Sequence, residues 1–207
     1  MAVKIGDVVL GLRSRLGDVD ASNYKYADTE LIDAINSSLA HLSEELLCFS
    51  RTWLLPAKEN IHRYKLPEDF LRPISVSYEC EIINRVLSME SRSSDNEIPC
   101  LPNVSYDMQT LHLYPSAKLE NGKNIELYYH YYETINDKTD KVGLPNIAKE
   151  CIIYYALSLL FENNITSRGI EKANRARKLY ELELEKLRSR ERKNQQSKNI
   201  TSKYRSI

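Results

Sequence analysis

Two prolines, Pro67 and Pro73, sit inside the stretch Tyr64-Lys65-Leu66-Pro67-Glu68-Asp69-Phe70-Leu71-Arg72-Pro73-Ile74-Ser75-Val76. Proline removes a backbone donor and pushes the residue before it out of the helical region, so no uninterrupted helix can cross this stretch. Directly after it, Ile74-Ser75-Val76-Ser77-Tyr78 alternates strictly, the period of a half-buried strand. The segments on either side have helical periodicity. A chain of this kind must interrupt a helical body with extended structure.

Ile5, Val8, Val9, Leu12 and Leu16 recur at helical spacing and predict a first helix over 3–16, ended by Gly17 and Asp18. Asp28 is suited to N-cap a second helix over 28–49, with Glu30 in its first turn. Leu31, Ile35, Leu39, Leu42 and Leu46 form its apolar stripe, and Asn36, Ser37, Ser43 and Glu44 its polar face. Short strands are predicted at Thr52–Leu55, Ile61–Leu66, Leu111–Tyr114 and Ile125–Tyr128. The last two are predicted to form a hairpin joined across Asn121-Gly122. Pro145 opens a helix over 146–162 that is apolar nearly all round, through Ile147, Cys151, Ile152, Ile153, Tyr154, Tyr155, Leu157, Leu159 and Leu160. Such a helix is central in its fold or covered by neighbouring subunits. A last helix over 170–193 carries Ala173, Ala176, Tyr180, Leu184 and Leu187 on one face. From Asn194 polar residues dominate and predict a flexible basic tail over 194–207. The fold class implied is mainly α (α+β): a helical bundle over 1–193, with a small antiparallel β region inserted at about 51–135 and an extended C-terminal tail.

Formal charge is zero overall but unevenly spread. From Lys186 onward the cations Lys186, Arg188, Arg190, Arg192, Lys193, Lys198, Lys203 and Arg205 face the single acid Glu191, so the rest of the chain is net acidic by the same margin. A solvated helix end whose cations suit the C-terminal dipole would give this pattern, and so would an arm for an acidic partner or nucleic acid. Cys48, Cys80, Cys100 and Cys151 are scattered, with no CxxC pair and no histidine at ligand spacing, which predicts reduced, mostly buried thiols and no metal. Met1-Ala2-Val3-Lys4 leads into a helix rather than an apolar signal core, and no apolar run is long enough to span a membrane. The expectation is a soluble intracellular protein.

His41, His62, His112 and His130 stand beside no recognisable nucleophile motif and are taken as structural. Glu68 and Asp69, as neighbours on an extended chain, point apart and suit turn or surface acids better than an acid–base pair. No phosphate-binding loop, dinucleotide fingerprint or HExxH motif is present, so neither catalysis nor a cofactor is expected. The run Tyr128, Tyr129, Tyr131, Tyr132 could stack bases, but Glu126 and Glu133 bound it and no basic stripe flanks it, which favours core or interface tyrosines. Asn36, Asn103, Asn164 and Asn199 head glycosylation triplets that carry no weight without secretion.

Taken in order, several segments resemble the head-to-tail adaptor proteins of short-tailed bacteriophages. They are the aromatic loop from Tyr24 into Asp28-Thr29-Glu30-Leu31 and its helix to Leu46, the Tyr64–Val76 stretch, Leu111-His112-Leu113-Tyr114-Pro115, and Leu144-Pro145 leading into Ile153-Tyr154-Tyr155-Ala156-Leu157. Cys80 to Tyr106 carries no part of the resemblance. It implies a non-enzymatic virion protein of the head–tail interface, or neck, assembled in the host cytoplasm. It also implies a homo-oligomeric ring, a dodecamer, beneath the portal protein. Such a ring extends the DNA channel, passes DNA without sequence-specific binding, and is a platform for nozzle or tail-fibre components. The C-terminal segment would then dock on the portal through Lys186, Arg188, Arg190, Arg192, Lys193, Lys198, Lys203, Tyr204, Arg205 and Ile207. The alternative is a nucleic-acid-binding module that uses the basic tail.

Overall fold

The computed structural model describes residues 2–61, 63–79, 81–82, 103–106, 110–114, 119–163 and 166–203. The chain divides into two compact units, one formed by Met1–Cys48 with Glu133–Ile207 and the other by Phe49–Tyr132.

The first unit is helical. A two-residue strand β1 (Val3–Lys4) pairs antiparallel with β9 (Lys141–Val142) and leads into α1 (Ile5–Leu16). Gly17 closes α1 in the left-handed region at φ 70°, where a side chain would be strained. Helix α2 (Asp28–Leu46) buries Leu31, Ala34, Ile35, Leu39 and Leu42, while α3 (Ala148–Glu162) buries Cys151, Ile152, Ile153, Ala156, Leu157 and Leu160. Helix α3 packs against α1, α2 and α4 (Ser167–Lys203), which bury most of its nearly all-round apolar surface, while Ile147, Tyr154, Tyr155 and Leu159 stay half-buried.

Asp28 is the first residue inside α2 and not its N-cap. The cap is Ala27, whose N–H donates to Glu30 Oε2 at 2.8 Å. The Asp28 carboxylate turns instead to Arg13 and Lys138. Arg13 is buried at the end of α1 and donates to Asp18, to the carbonyl of Tyr26 and to Asp28, with its guanidinium 3.6 Å from the centroid of the Tyr24 ring. Asp18 also accepts the N–H groups of Lys25 and Tyr26. The loop between α1 and α2 is thus gathered on one buried cation.

The polar side of α2 is also used. Asn36 donates to the carbonyl of Ile135 at 3.0 Å and accepts its N–H at 2.8 Å, and Ser43 Oγ accepts the N–H of Glu133 at 3.5 Å. These bonds fasten the chain to α2 where it returns from the second unit.

The second unit is a β structure. Strands β2 (Ser50–Pro56), β8 (Asn124–Tyr131), β4 (Phe70–Tyr78) and β5 (Glu81–Ile82) form one antiparallel sheet in that order. Strands β3 (Arg63–Lys65), β7 (Thr110–Tyr114) and β6 (Asn103–Tyr106) form another. Alternate residues of both sheets meet in one core that includes Leu55, Tyr64, Val76, Leu111, Leu113, Ile125, Leu127 and Tyr129. Tyr129 is fully buried, and its hydroxyl accepts from Arg51 at 2.6 Å and lies 3.3 Å from Asp69. Asp69 also pairs with Arg51, so it ties β2 to the start of β4 rather than standing as a free surface acid.

Two expectations are corrected here. The fold is α+β with a substantial β component, not a helical bundle with a small β insertion: nine strands in three sheets accompany four helices among the described residues. The short alternating runs form no fringe on a bundle, because their inward residues close a second hydrophobic core. Strands β7 and β8 make no hairpin either, as β7 pairs with β3 and β6 while β8 pairs with β2 and β4. Alternation specifies a buried face, and both strands keep theirs, but it does not specify the partner.

Candidate partner-docking helix

The residues expected to dock a partner lie on and beyond the second half of α4. At 1.5 Å per residue α4 is about 55 Å long. Its buried stripe is Ala173, Ala176, Tyr180, Leu184 and Leu187, and it packs on α3. Positions 191 and 194, which would continue the stripe, are Glu and Asn. The last ~24 Å of helix past Leu187 therefore has no apolar stripe to bury. The backbone nevertheless stays helical to Lys203, ten residues past the end at Lys193 that the sequence reading set. Arg, Glu, Lys and Gln are good helix formers, and cations near the C-terminus complement the helix dipole, so the turns can continue from the packed part.

The ten expected docking residues fall into distinct groups. Lys186 is bound to Glu183 at 2.6 Å on its own helix, and that hydrogen bond raises its pKa. Arg188 pairs with Glu45 of α2, both side chains about one-third exposed. These two cations are already engaged within the chain, each at a solvated site where a pair is worth little. Arg190, Arg192 and Lys193 are exposed and carry the charge that a partner can meet. Lys198 and Lys203 lie on the helical backbone beyond them. Tyr204, Arg205 and Ile207 lie outside the described residues.

Three rings from α2, α3 and α4 meet in a group that the sequence does not signal. The rings of His41 and Tyr155 stack at 4.6 Å, and Tyr180 meets both, at 5.6 Å from His41 and 5.0 Å from Tyr155. The Tyr180 hydroxyl is buried without a hydrogen-bond partner among the described residues, and burial pushes its pKa up. Cys151, buried in α3, has its thiol pushed up to about 12 by the same cause, so it is not a nucleophile at neutral pH. Tyr180 was visible as a stripe residue, but its contact with His41 across helices carries no sequence signal.

Among the described residues, the remaining histidines and cysteines bring no reactive constellation together. His130 Nδ1 is 3.2 Å from the carbonyl of Phe49, His112 lies in β7, Cys48 is half-buried and Cys151 is buried. His62, Cys80 and Cys100 lie outside the described residues. Among the described residues no group of three or more His, Cys, Asp or Glu is placed to hold a metal ion, and no helix is long and apolar enough to cross a membrane.

A family model described as SU10 adaptor protein matches residues 4–202, taking in both units and α4 almost to its end. No curated protein matches the chain.

Proposed function

The chain belongs to the SU10 adaptor protein family, in agreement with its resemblance to phage head-to-tail adaptors, and on that premise we propose that it is a structural connector of the virion. In this reading, copies of the chain form a ring beneath the portal. The ring extends the DNA channel and presents a platform for further tail components, and the protein catalyses nothing. The observation that carries the reading is the family match over residues 4–202.

The second half of α4 is proposed as the portal-docking element. Its support is the run of exposed Arg190, Arg192 and Lys193 on a helix whose core stripe has ended. Charge gives such an element salt-sensitive steering, and apolar anchors at Tyr204 and Ile207 would supply residence time. Confining the excess of cations to this end leaves the rest of the chain net acidic. That distribution suits a channel which passes DNA without gripping it, since each phosphate contact would slow ejection.

Electron microscopy of the protein mixed with its portal tests the proposal directly. Rings of full-length chain on the portal are expected. Truncation after Lys193 is expected to abolish or strongly weaken that assembly while leaving the melting temperature unchanged, because the buried stripe ends at Leu187. Full assembly by the truncated chain would reduce the segment to a solvated helix end. Tight, steeply salt-dependent DNA binding by the free chain would favour a nucleic-acid-binding module instead.

A further inference from the structure

The single Asn-Gly dipeptide of the chain, Asn121-Gly122, lies in the turn before β8, with both residues exposed. The N–H of Lys123 closes the turn on the carbonyl of Glu120 at 3.3 Å, and Gly122 sits in the left-handed region at φ 85°. Nothing lies within 4 Å of where a Gly122 Cβ would stand. No hydrogen bond engages the Gly122 amide nitrogen among the described residues. Asn121 Oδ1 accepts the N–H of Glu59 at 3.1 Å. A free backbone nucleophile therefore stands next to a side-chain carbonyl that is already polarised by a donor.

We propose that Asn121-Gly122 is a covalent modification site, at which Asn121 deamidates in the folded protein through a cyclic imide. The Gly122 nitrogen, having given its proton to water or hydroxide, attacks Asn121 Cγ. The N–Cγ bond forms, the Cγ–Nδ2 bond breaks, and ammonia leaves after taking up a proton. Water then opens the imide at Cγ to give aspartate, or at the main-chain carbonyl to give isoaspartate, and nothing is oxidised or reduced. The Glu59 N–H faces the oxygen on which negative charge develops during the attack, as a single oxyanion donor would. Gly122 has no Cβ to obstruct the approach.

The surroundings give the change a consequence. Around the turn, Lys123 pairs with Glu79 at 2.9 Å, and the carbonyl of Lys123 accepts the N–H of Ala57 at 2.8 Å. The N–H of Glu120 donates to Tyr78 Oη at 2.9 Å. Beyond it begins β8, which pairs with both β2 and β4. Aspartate would add a negative charge beside the Glu79 pair, while isoaspartate would also lengthen the main chain at the entry to a strand paired on both sides. The site is independent of the adaptor reading.

The test is peptide mapping of the full-length chain after incubation in mildly alkaline buffer, beside the same chain unfolded in urea. Trypsin releases Leu119–Lys123. In the folded chain this peptide is expected to gain the mass of one deamidation progressively and to resolve into aspartate and isoaspartate forms. The conversion is expected to quicken as pH rises, because the nucleophile is the deprotonated amide. Asn121→Gln is expected to abolish the gain. An unmodified peptide in the folded chain, over an interval in which the urea-treated chain converts, would overturn the proposal. So would a mass gain that persists in Asn121→Gln.

Discussion

Replacing Arg13 by Met tests how far the first loop depends on its central cation. The Arg13 side chain is 5% exposed and its Asp18 partner 1%, so the pair is buried. Met keeps much of the aliphatic stem and removes the bonds to Asp18, to Tyr26 and to Asp28 along with the contact on the Tyr24 ring. Breaking a buried ion pair from one side costs about 3–5 kcal/mol, chiefly through the charge left without compensation. Asp18 would still accept the N–H groups of Lys25 and Tyr26, which places the expected loss near the lower bound, about 3 kcal/mol. Against a total stability of about 5–15 kcal/mol that is a large fraction. Urea unfolding followed by circular dichroism reads it as a lower midpoint at unchanged slope. The double variant Arg13→Met, Asp18→Asn removes the stranded charge and is expected to recover part of the loss. A loss below about 1 kcal/mol in the single variant, the range of an exposed pair, would refute the clasp. A double variant no more stable than the single would refute the charge-compensation mechanism.

Asn36→Ala removes the two bonds that fasten Ile135 to α2 and leaves a part-buried N–H and C=O unmet. A loss of about 1–3 kcal/mol in the same unfolding assay is expected, and a change near zero would mean that solvent replaces both bonds. The hydrogen bond from Arg13, and then that from Lys138, hold the Asp28 carboxyl below its usual range. Its contribution is therefore present above the unfolded pKa of about 3.9 and lost as pH falls through the lower folded value, modestly because the group is half exposed. An Asp28→Asn variant should accordingly show a flatter loss of melting temperature below about pH 4 than the parent. Cys151 should resist alkylation in the native state at neutral pH and react on unfolding, and labelling as fast as that of a free thiol would contradict its burial.

The helical stripes were legible because each repeats at helical period on a face that is in fact buried: Leu31, Ile35, Leu39 and Leu42 in α2, and Ala173 to Leu187 in α4. The β core was half legible. Ile125, Leu127, Leu111 and Leu113 showed their inward face by alternation, yet which strand each pairs with depends on contacts distant in sequence. Arg13 leaves a trace in the sequence, since it stands four residues after Val9 on the apolar side of α1, where a cation needs buried partners. Asn36 and Ser43 read as solvent-facing because polar residues that serve another segment of chain look the same in sequence as those that serve water. Of the docking residues, the charge was plain in the sequence. That Lys186 and Arg188 are engaged by Glu183 and Glu45 depends on rotamers and helix packing, which charge counting does not see.

The β unit leaves the helical chain at Phe49 and rejoins it at Tyr132, and within that unit its two ends are bonded neighbours. The N–H of Tyr131 donates to the carbonyl of Phe49 at 3.2 Å, and Ser50 stands opposite His130. Helices α2 and α3 must find each other across everything between, a search whose entropic cost grows with the length of free chain. Once the insert has folded, that length collapses to the few residues outside a closed ladder. The β unit then acts on the helical unit as a cross-link would, shrinking the unfolded ensemble of the helices. It also makes the insert exchangeable: any module whose first and last strands pair side by side could take its place and close the same gap.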